Sequence, residues 1–319
     1  MSFLIKFKYF AIYLCVIFLS ISCNEQYSEV REDHSRSSSG PGTQKGSSYS
    51  AMQMKWNQNN ISSTGLNIYV SEDLLTEFEA KDYVDDLNPV QLMLNEWNSS
   101  SDDIKFFNIQ SASDDLAISS DQKRELLNYN DNVLGIYKHD DWFDDISPSA
   151  LAITQFFGKR INPGSNDEYL ELIHADIIVN YKYFSFGIED DMFENYDLSS
   201  VILHELGHFL GLTHSGYEED SIMVPYLDVG VKKRNLKQYD LNSVSNLYQV
   251  RENSSNSNLS LMASSVKASQ SVSAIHQKKQ IVQGIIELQA SGDCRHYING
   301  ELVHQHKKMP SHFKLGMMN

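Results

Sequence analysis

The segment His204-Glu205-Leu206-Gly207-His208, followed by Gly211 and His214, constrains this chain more than any other stretch. Residues four apart on a helix lie one turn apart on the same face, so His204 and His208 can present imidazole nitrogens to one ion. Glu205 is turned about 100° from His204 and lies beside such an ion, where a base for an activated water belongs. Gly211 can take a positive φ and end the helix, and His214 then arrives as a third ligand from outside it. Three nitrogen ligands with one open position make a catalytic zinc arrangement, whereas structural zinc sites are closed. Histidines that merely capped their neighbours would not need this set at this spacing.

The helix that carries these residues is well specified. Asp197 is a suitable N-cap, and Leu198, Val201, Ile202, Leu206 and Phe209 give it an apolar frame. Ligand-type polar groups on such a frame need partners, and zinc supplies one.

The extended motif resembles that of the metzincin metallopeptidases. Their second mark, a methionine turn beneath the metal, is similar to Ser221-Ile222-Met223-Val224-Pro225-Tyr226, with Met223 as the methionine. Ser215 directly after His214, and Pro225 two residues after Met223, resemble the matrixin branch. Tyr226 stands one position past the metal-reaching tyrosine of other branches and is not taken as a ligand. The resemblance spans about Trp56 to Val250. Trp56 and the alternating strand Leu66–Val70 look like a matrixin domain start, and Asn195–Leu198 like the lead-in to the active-site helix. Ala150–Phe157 and Ala175–Asn180 resemble the central and edge strands, and Leu236–Tyr248 the closing helix. Three features depart from the family pattern: no upstream cysteine switch, no structural zinc and calcium loop before the edge strand, and no haemopexin-like repeat. His174 and His139 are therefore read as ordinary residues.

The resemblance implies an α+β fold. It would hold a twisted mixed sheet, a long helix in the N-terminal half, the active-site helix and the closing helix, with a small β-rich C-terminal appendage. Asn88-Pro89 marks the first helix, with Val90, Met93, Leu94 and Trp97 at helical spacing. Further strands are expected at 104–109, 133–137 and 285–290. Asn299-Gly300 is a two-residue hairpin turn between Cys294–Ile298 and Glu301–His306.

The chain's 319 residues carry a formal net charge of −16, which argues against a general nucleic-acid binder. From Glu72 to Asp145 there are 19 acidic and five basic residues, which reads as a solvated surface. Calcium is the minority reading and stays unassigned, because Asp85-Asp86, Asp140-Asp141 and Asp144-Asp145 lack EF-hand spacing. Three cysteines, Cys15, Cys23 and Cys294, rule out a disulfide framework.

Lys6 and Lys8 precede an apolar stretch from Tyr9 to Ile21, of signal-core length and too short to span a bilayer. Leu19-Ser20-Ile21-Ser22-Cys23 resembles a bacterial lipobox with Cys23 as the lipidated residue. Plain secretion after cleavage behind Ser22 is the alternative. The expected organisation is a signal peptide (1–22), a flexible tether (23–53), a matrixin-like metallopeptidase domain (54–250), a Ser-rich linker (251–273) and a C-terminal extension (274–319). The product would be a monomer of the bacterial cell envelope, lipid-anchored at the outer membrane or surface, and otherwise secreted.

The function implied is a zinc-dependent endopeptidase acting on proteins or peptides. Zinc would sit on His204, His208 and His214, with Glu205 as general base. By family analogy, substrate would lie along the edge strand at Ala175–Asn180, with a side-chain pocket near Val224–Leu227. The rival readings are a catalytically silent surface-binding lipoprotein that retains the fold, and a metallohydrolase acting on a non-peptide bond. In the tail, Cys294, His296, His304 and His306 could bind a metal, or Cys294 could reach the zinc and hold the enzyme latent. The preferred expectation there is an accessory hairpin with solvated histidines.

Overall fold

The computed structural model describes residues 52–306, except 60, 62–63, 109–116, 119–122, 189–193, 217–219, 250–280 and 292. The signal peptide, Cys23, the tether and the Ser-rich linker expected from the sequence lie outside the described residues. In chain order the strands are β1 (Gln53–Trp56), β2 (Leu66–Asn67), β3 (Tyr69–Ser71), β4 (Phe107–Asn108), β5 (Ala117–Ile118), β6 (Gly135–His139), β7 (Ala150–Ile161), β8 (Tyr169–Asn180), β9 (Phe186–Gly187), β10 (Tyr196–Asp197), β11 (Ile281–Gln289), β12 (Cys294–Ile298) and β13 (Glu301–His306). The α-helices are α1 (Glu72–Leu75), α2 (Pro89–Asn98), α3 (Leu198–Phe209) and α4 (Gln238–Tyr248).

One mixed sheet dominates, in the order β13-β12-β11-β7-β8-β6-β3-β5, with β1 also beside β8. Strands β1 and β6 run parallel to β8, while β7 is antiparallel to it. The architecture is α+β. On β8, Ala175, Ile177 and Val179 pack into the core that holds α2 and α3, while Ile178 joins a second apolar cluster with Tyr129, Tyr137, Trp142 and Ile153. That is the period-two alternation of a strand covered on both faces. Helix α2 starts as its sequence dictates. Asn88 Oδ1 accepts from Gln91 N–H (2.9 Å), Gln91 returns a bond to Asn88 N–H, and Pro89 fills the first turn.

Three sequence expectations are corrected. The Leu66–Val70 stretch breaks at Ile68, because Leu66 pairs with Phe107 of β4 while Tyr69 pairs with Gly135 of β6. Ala175–Asn180 is interior, with β7 on one side and β6 on the other, so it is no edge strand. The C-terminal strands form no separate appendage. β11 pairs along β7 from Ile281↔Lys159 to Gln289↔Ala150, and the hairpin β12–β13 extends the same sheet.

Candidate metal centre

Helix α3 is buried along its whole length. Asp197 caps it, accepting from Ser200 N–H (3.0 Å), and Arg234 pairs with the same carboxylate at 2.9 Å. Gly211 ends the helix at φ +95°, and a Cβ there would lie 2.1 Å from the Met54 carbonyl oxygen. Only glycine suits both the conformation and the space.

The chain returning from that turn brings His214 to the helix. Its Nε2 lies 3.0 Å from His208 Nε2 and 3.3 Å from His204 Nε2. The outer nitrogens of the two helical histidines are oriented by backbone. His204 Nδ1 donates to Ile222 O (2.7 Å), and His208 Nδ1 to Leu212 O (2.8 Å). With Nδ1 carrying the proton, each Nε2 directs a lone pair inward. Burial holds all three imidazoles well below the usual histidine range, His204 at about 4. Three buried lone pairs aimed at one point need a cation. Spacings of about 3.3 Å are those of nitrogens on one tetrahedral zinc with bonds of about 2.0–2.1 Å. The donor set fits the metal that the sequence implied, and His204, His208 and His214 could hold it.

Glu205 is wholly buried beside this cluster. Thr154 Oγ1, on β7, donates to its Oε2 at 2.5 Å, and its Oε1 has no hydrogen-bond partner among the described residues. Burial pushes its carboxyl up to about 8, against the lowering effect of Thr154.

Met223 lies beneath the helix. A Cβ on Gly207 would stand 2.3 Å from its Sδ, so the glycine makes room for the methionine. The turn is pinned from α4: Asp240 accepts from Ser221 Oγ (2.5 Å), Ile222 N–H (3.1 Å) and Lys237 N–H (2.9 Å). Ser215 N–H donates to Met223 O (2.9 Å), which ties the third histidine's loop to the same turn.

Strand β7 meets the motif at Glu205, the loop at His214 meets it at His204 and His208, and the turn at Met223 meets it at His204 and Gly207. The family model for matrixin (Peptidase_M10) matches residues 55–249, more than half of the chain. The chain belongs to the matrixin family. It is 46% identical over 57 residues to Metalloendoproteinase 2-MMP of Arabidopsis thaliana, which covers 18% of this chain and 15% of that relative. Metalloendoproteinase 1 of Glycine max is 42% identical over 55 residues, 17% of this chain and 18% of the relative. The chain thus matches less than a fifth of the length of these curated relatives.

Outside the zinc-type cluster, His174 Nε2 lies 2.7 Å from Asp176 and 2.6 Å from Tyr129 O, and His139 Nδ1 accepts from Asp141 N–H. His174 is thus hydrogen-bonded within the sheet's second face, whereas His139 Nε2 is buried without a hydrogen-bond partner among the described residues. The acidic pairs at Asp85-Asp86, Asp140-Asp141 and Asp144-Asp145 are exposed.

The tail differs from its expectation. His296 and Cys294 are buried, not solvated. His296 Nε2 lies 2.8 Å from His214 Nδ1, and Cys294 Sγ lies 3.6 Å from the same nitrogen. His214, His296 and His306 form a second group whose nitrogens could meet at one ion. Thr154, Asp240 and Leu288 were not singled out from the sequence. Thr154 carried a signal, being a hydroxyl inside an otherwise apolar strand that needs a partner.

Proposed function

We propose that this matrixin is a zinc-dependent endopeptidase that cuts proteins or peptides, with Glu205 as general base. The observation that carries it is the convergence of three buried Nε2 atoms beside a carboxylate with one oxygen left unpartnered among the described residues. When bound, zinc lowers the pKa of a water and polarises a carbonyl. Thr154 fixes Oε2 of Glu205, which leaves Oε1 to take the proton and later pass it to the departing amine. Burial favours the protonated carboxyl, which supports the second half of that relay. The pocket beside His204, walled by Val224, Tyr226 and Leu227, suits a side chain of the substrate.

The remaining sequence-level readings go with this proposal: export by residues 1–22, a lipid on Cys23, a cell-envelope location and a monomeric state. Export, lipid and location rest on the leader's charge, its apolar stretch and the small residues before Cys23. The deciding experiment quantifies bound zinc in the parent and in Glu205→Ala, then exposes a complex protein mixture to each and reads new termini by mass spectrometry. Zinc near one per chain in both, with new termini only where Glu205 is present, is expected. Full activity in Glu205→Ala would overturn the assignment.

A further inference from the structure

The side of β7 that faces away from β8 is taken by β11, paired antiparallel over its whole length. At its end β11 is gripped from a second side. Gln289 N–H donates to Pro225 O (3.1 Å), Leu227 N–H donates to Gln289 O (3.2 Å), and Gln289 bridges Tyr226 in parallel. A backbone held between a sheet strand and a facing segment is how a cleft takes an extended peptide. Leu288, 1% exposed, lines the pocket formed with His204, Val224, Tyr226 and Leu227. One residue earlier, the Glu287 carbonyl accepts from Cys294 Sγ (3.0 Å), whose other neighbour is His214. Leu288 thus shares a pocket with His204, and the Glu287 carbonyl reaches His214 through Cys294.

We propose that β11 occupies the cleft as a substrate would, presenting the Glu287–Leu288 bond to the metal centre uncut, and so competes with other peptides for the cleft of the intact chain. This rests on the peptidase reading and deepens it. The bond stays whole because both flanks are anchored. Upstream, β11 is paired with β7. Downstream, Gln289 is held by 225–227, Ala290 N–H donates to Ser149 O (3.0 Å), and β12 pairs back on β11. A leaving amine held on both sides cannot depart.

The test compares the zinc-loaded chain with its Leu288→Arg and Gln289→Pro variants. Arginine cannot lose its charge, so beside a dication and Lys233 it is expelled from the pocket. Gln289→Pro removes the N–H given to Pro225 and the side-chain amide given to Glu287 but keeps Leu288, which covers the case in which the arginine variant fails to fold. Two readouts are taken: alkylation of Cys294 followed by peptide mapping, and hydrolysis of a peptide set varied at the residue after the cut bond. The expected result is that both rise by about tenfold or more in the variants. Adding Glu205→Ala should abolish hydrolysis and leave the faster labelling. Equal labelling and equal hydrolysis in parent and folded variants would overturn the proposal, as would cleavage at Glu287–Leu288 in the parent. Faster labelling with no peptide cut by any variant would instead overturn the peptidase reading, and the substrate-like role with it.

Discussion

His296 Nε2 lies 2.8 Å from His214 Nδ1, so the outer nitrogen of the third candidate ligand is partnered by a residue 82 positions further along the chain. The other two outer nitrogens go to backbone carbonyls of the motif's own loop and of the methionine turn. The centre is thus oriented from three directions: the end of α3, the turn at Met223, and the C-terminal hairpin. That hairpin is fixed in turn by Tyr226, whose hydroxyl donates to His306 O at 2.7 Å.

Partners of this kind tune metal affinity by about 10–100-fold. His296→Phe keeps a ring in place but removes the nitrogen facing His214. The expected outcome is zinc retention lowered by about tenfold or more in chelator competition, with far-ultraviolet dichroism unchanged. Unaltered zinc affinity would show that the contact orients nothing.

At Gly207, α3 has no room for a side chain. A Cβ would meet Met223 Sδ at 2.3 Å and Trp97 at 3.0 Å, and Trp97 is itself locked by its Nε1–H to Leu203 O at 2.9 Å. Gly207→Ala gains helix propensity of about 1 kcal/mol but overpacks a buried contact, which costs about 1–3 kcal/mol. Net destabilisation is expected in denaturant unfolding, partly relieved in Gly207→Ala/Met223→Ala. A more stable single variant would mean that Met223 moves freely.

Much of the site was legible because its chemistry is local. His204 and His208 share one helix face, Gly211 must turn the chain, and Asp197 caps by its own side chain. The hairpin was legible for the same reason, since Asn299-Gly300 encodes its turn and φ is positive at both residues. What escaped was non-local. Nothing near Ala175–Asn180 records that β6 and β7 flank it, so an interior strand was taken for an edge. Nothing near Cys294 and His296 records that β11 joins β7, so residues on the metal centre were expected in solvent. Leu66–Val70 alternates like one strand, yet its two halves find different partners across the fold.

His174 offers a pH signature remote from the metal centre. It is buried, with Asp176 at 2.7 Å and Tyr129 O at 2.6 Å. Burial lowers its proton affinity, but the bond and charge of Asp176 outweigh this and raise its pKa above 6.5. A raised folded value means that the folded state binds the proton more tightly. Its contribution to stability is complete below 6.5 and is lost as the pH rises through the folded value. The thermal midpoint of the parent should therefore fall more steeply than that of His174→Gln as the pH rises above about 6.5. Parallel curves would mean that His174 stays neutral throughout.

Asp240 is the anchor through which α4 acts on the metal centre without touching it. Its buried carboxylate accepts from Ser221 Oγ, Ile222 N–H and Lys237 N–H, and the carbonyl of that same Ile222 receives the His204 Nδ1 proton. Hydrogen bonds to a charged group contribute about 1.5–3 kcal/mol each, and they are not additive here because the three share one acceptor. Asp240→Ala leaves the Ser221 hydroxyl and the Ile222 amide buried without that acceptor. A loss of about 3–5 kcal/mol in folding stability is expected, together with weaker zinc retention, because the Ile222 carbonyl is no longer held against His204. Asp240→Asn keeps the shape and one accepting oxygen, so it should lose less on both counts. If Asp240→Ala lowered stability while zinc affinity stayed at the parent value, α4 would support the fold alone and His204 would be oriented without it.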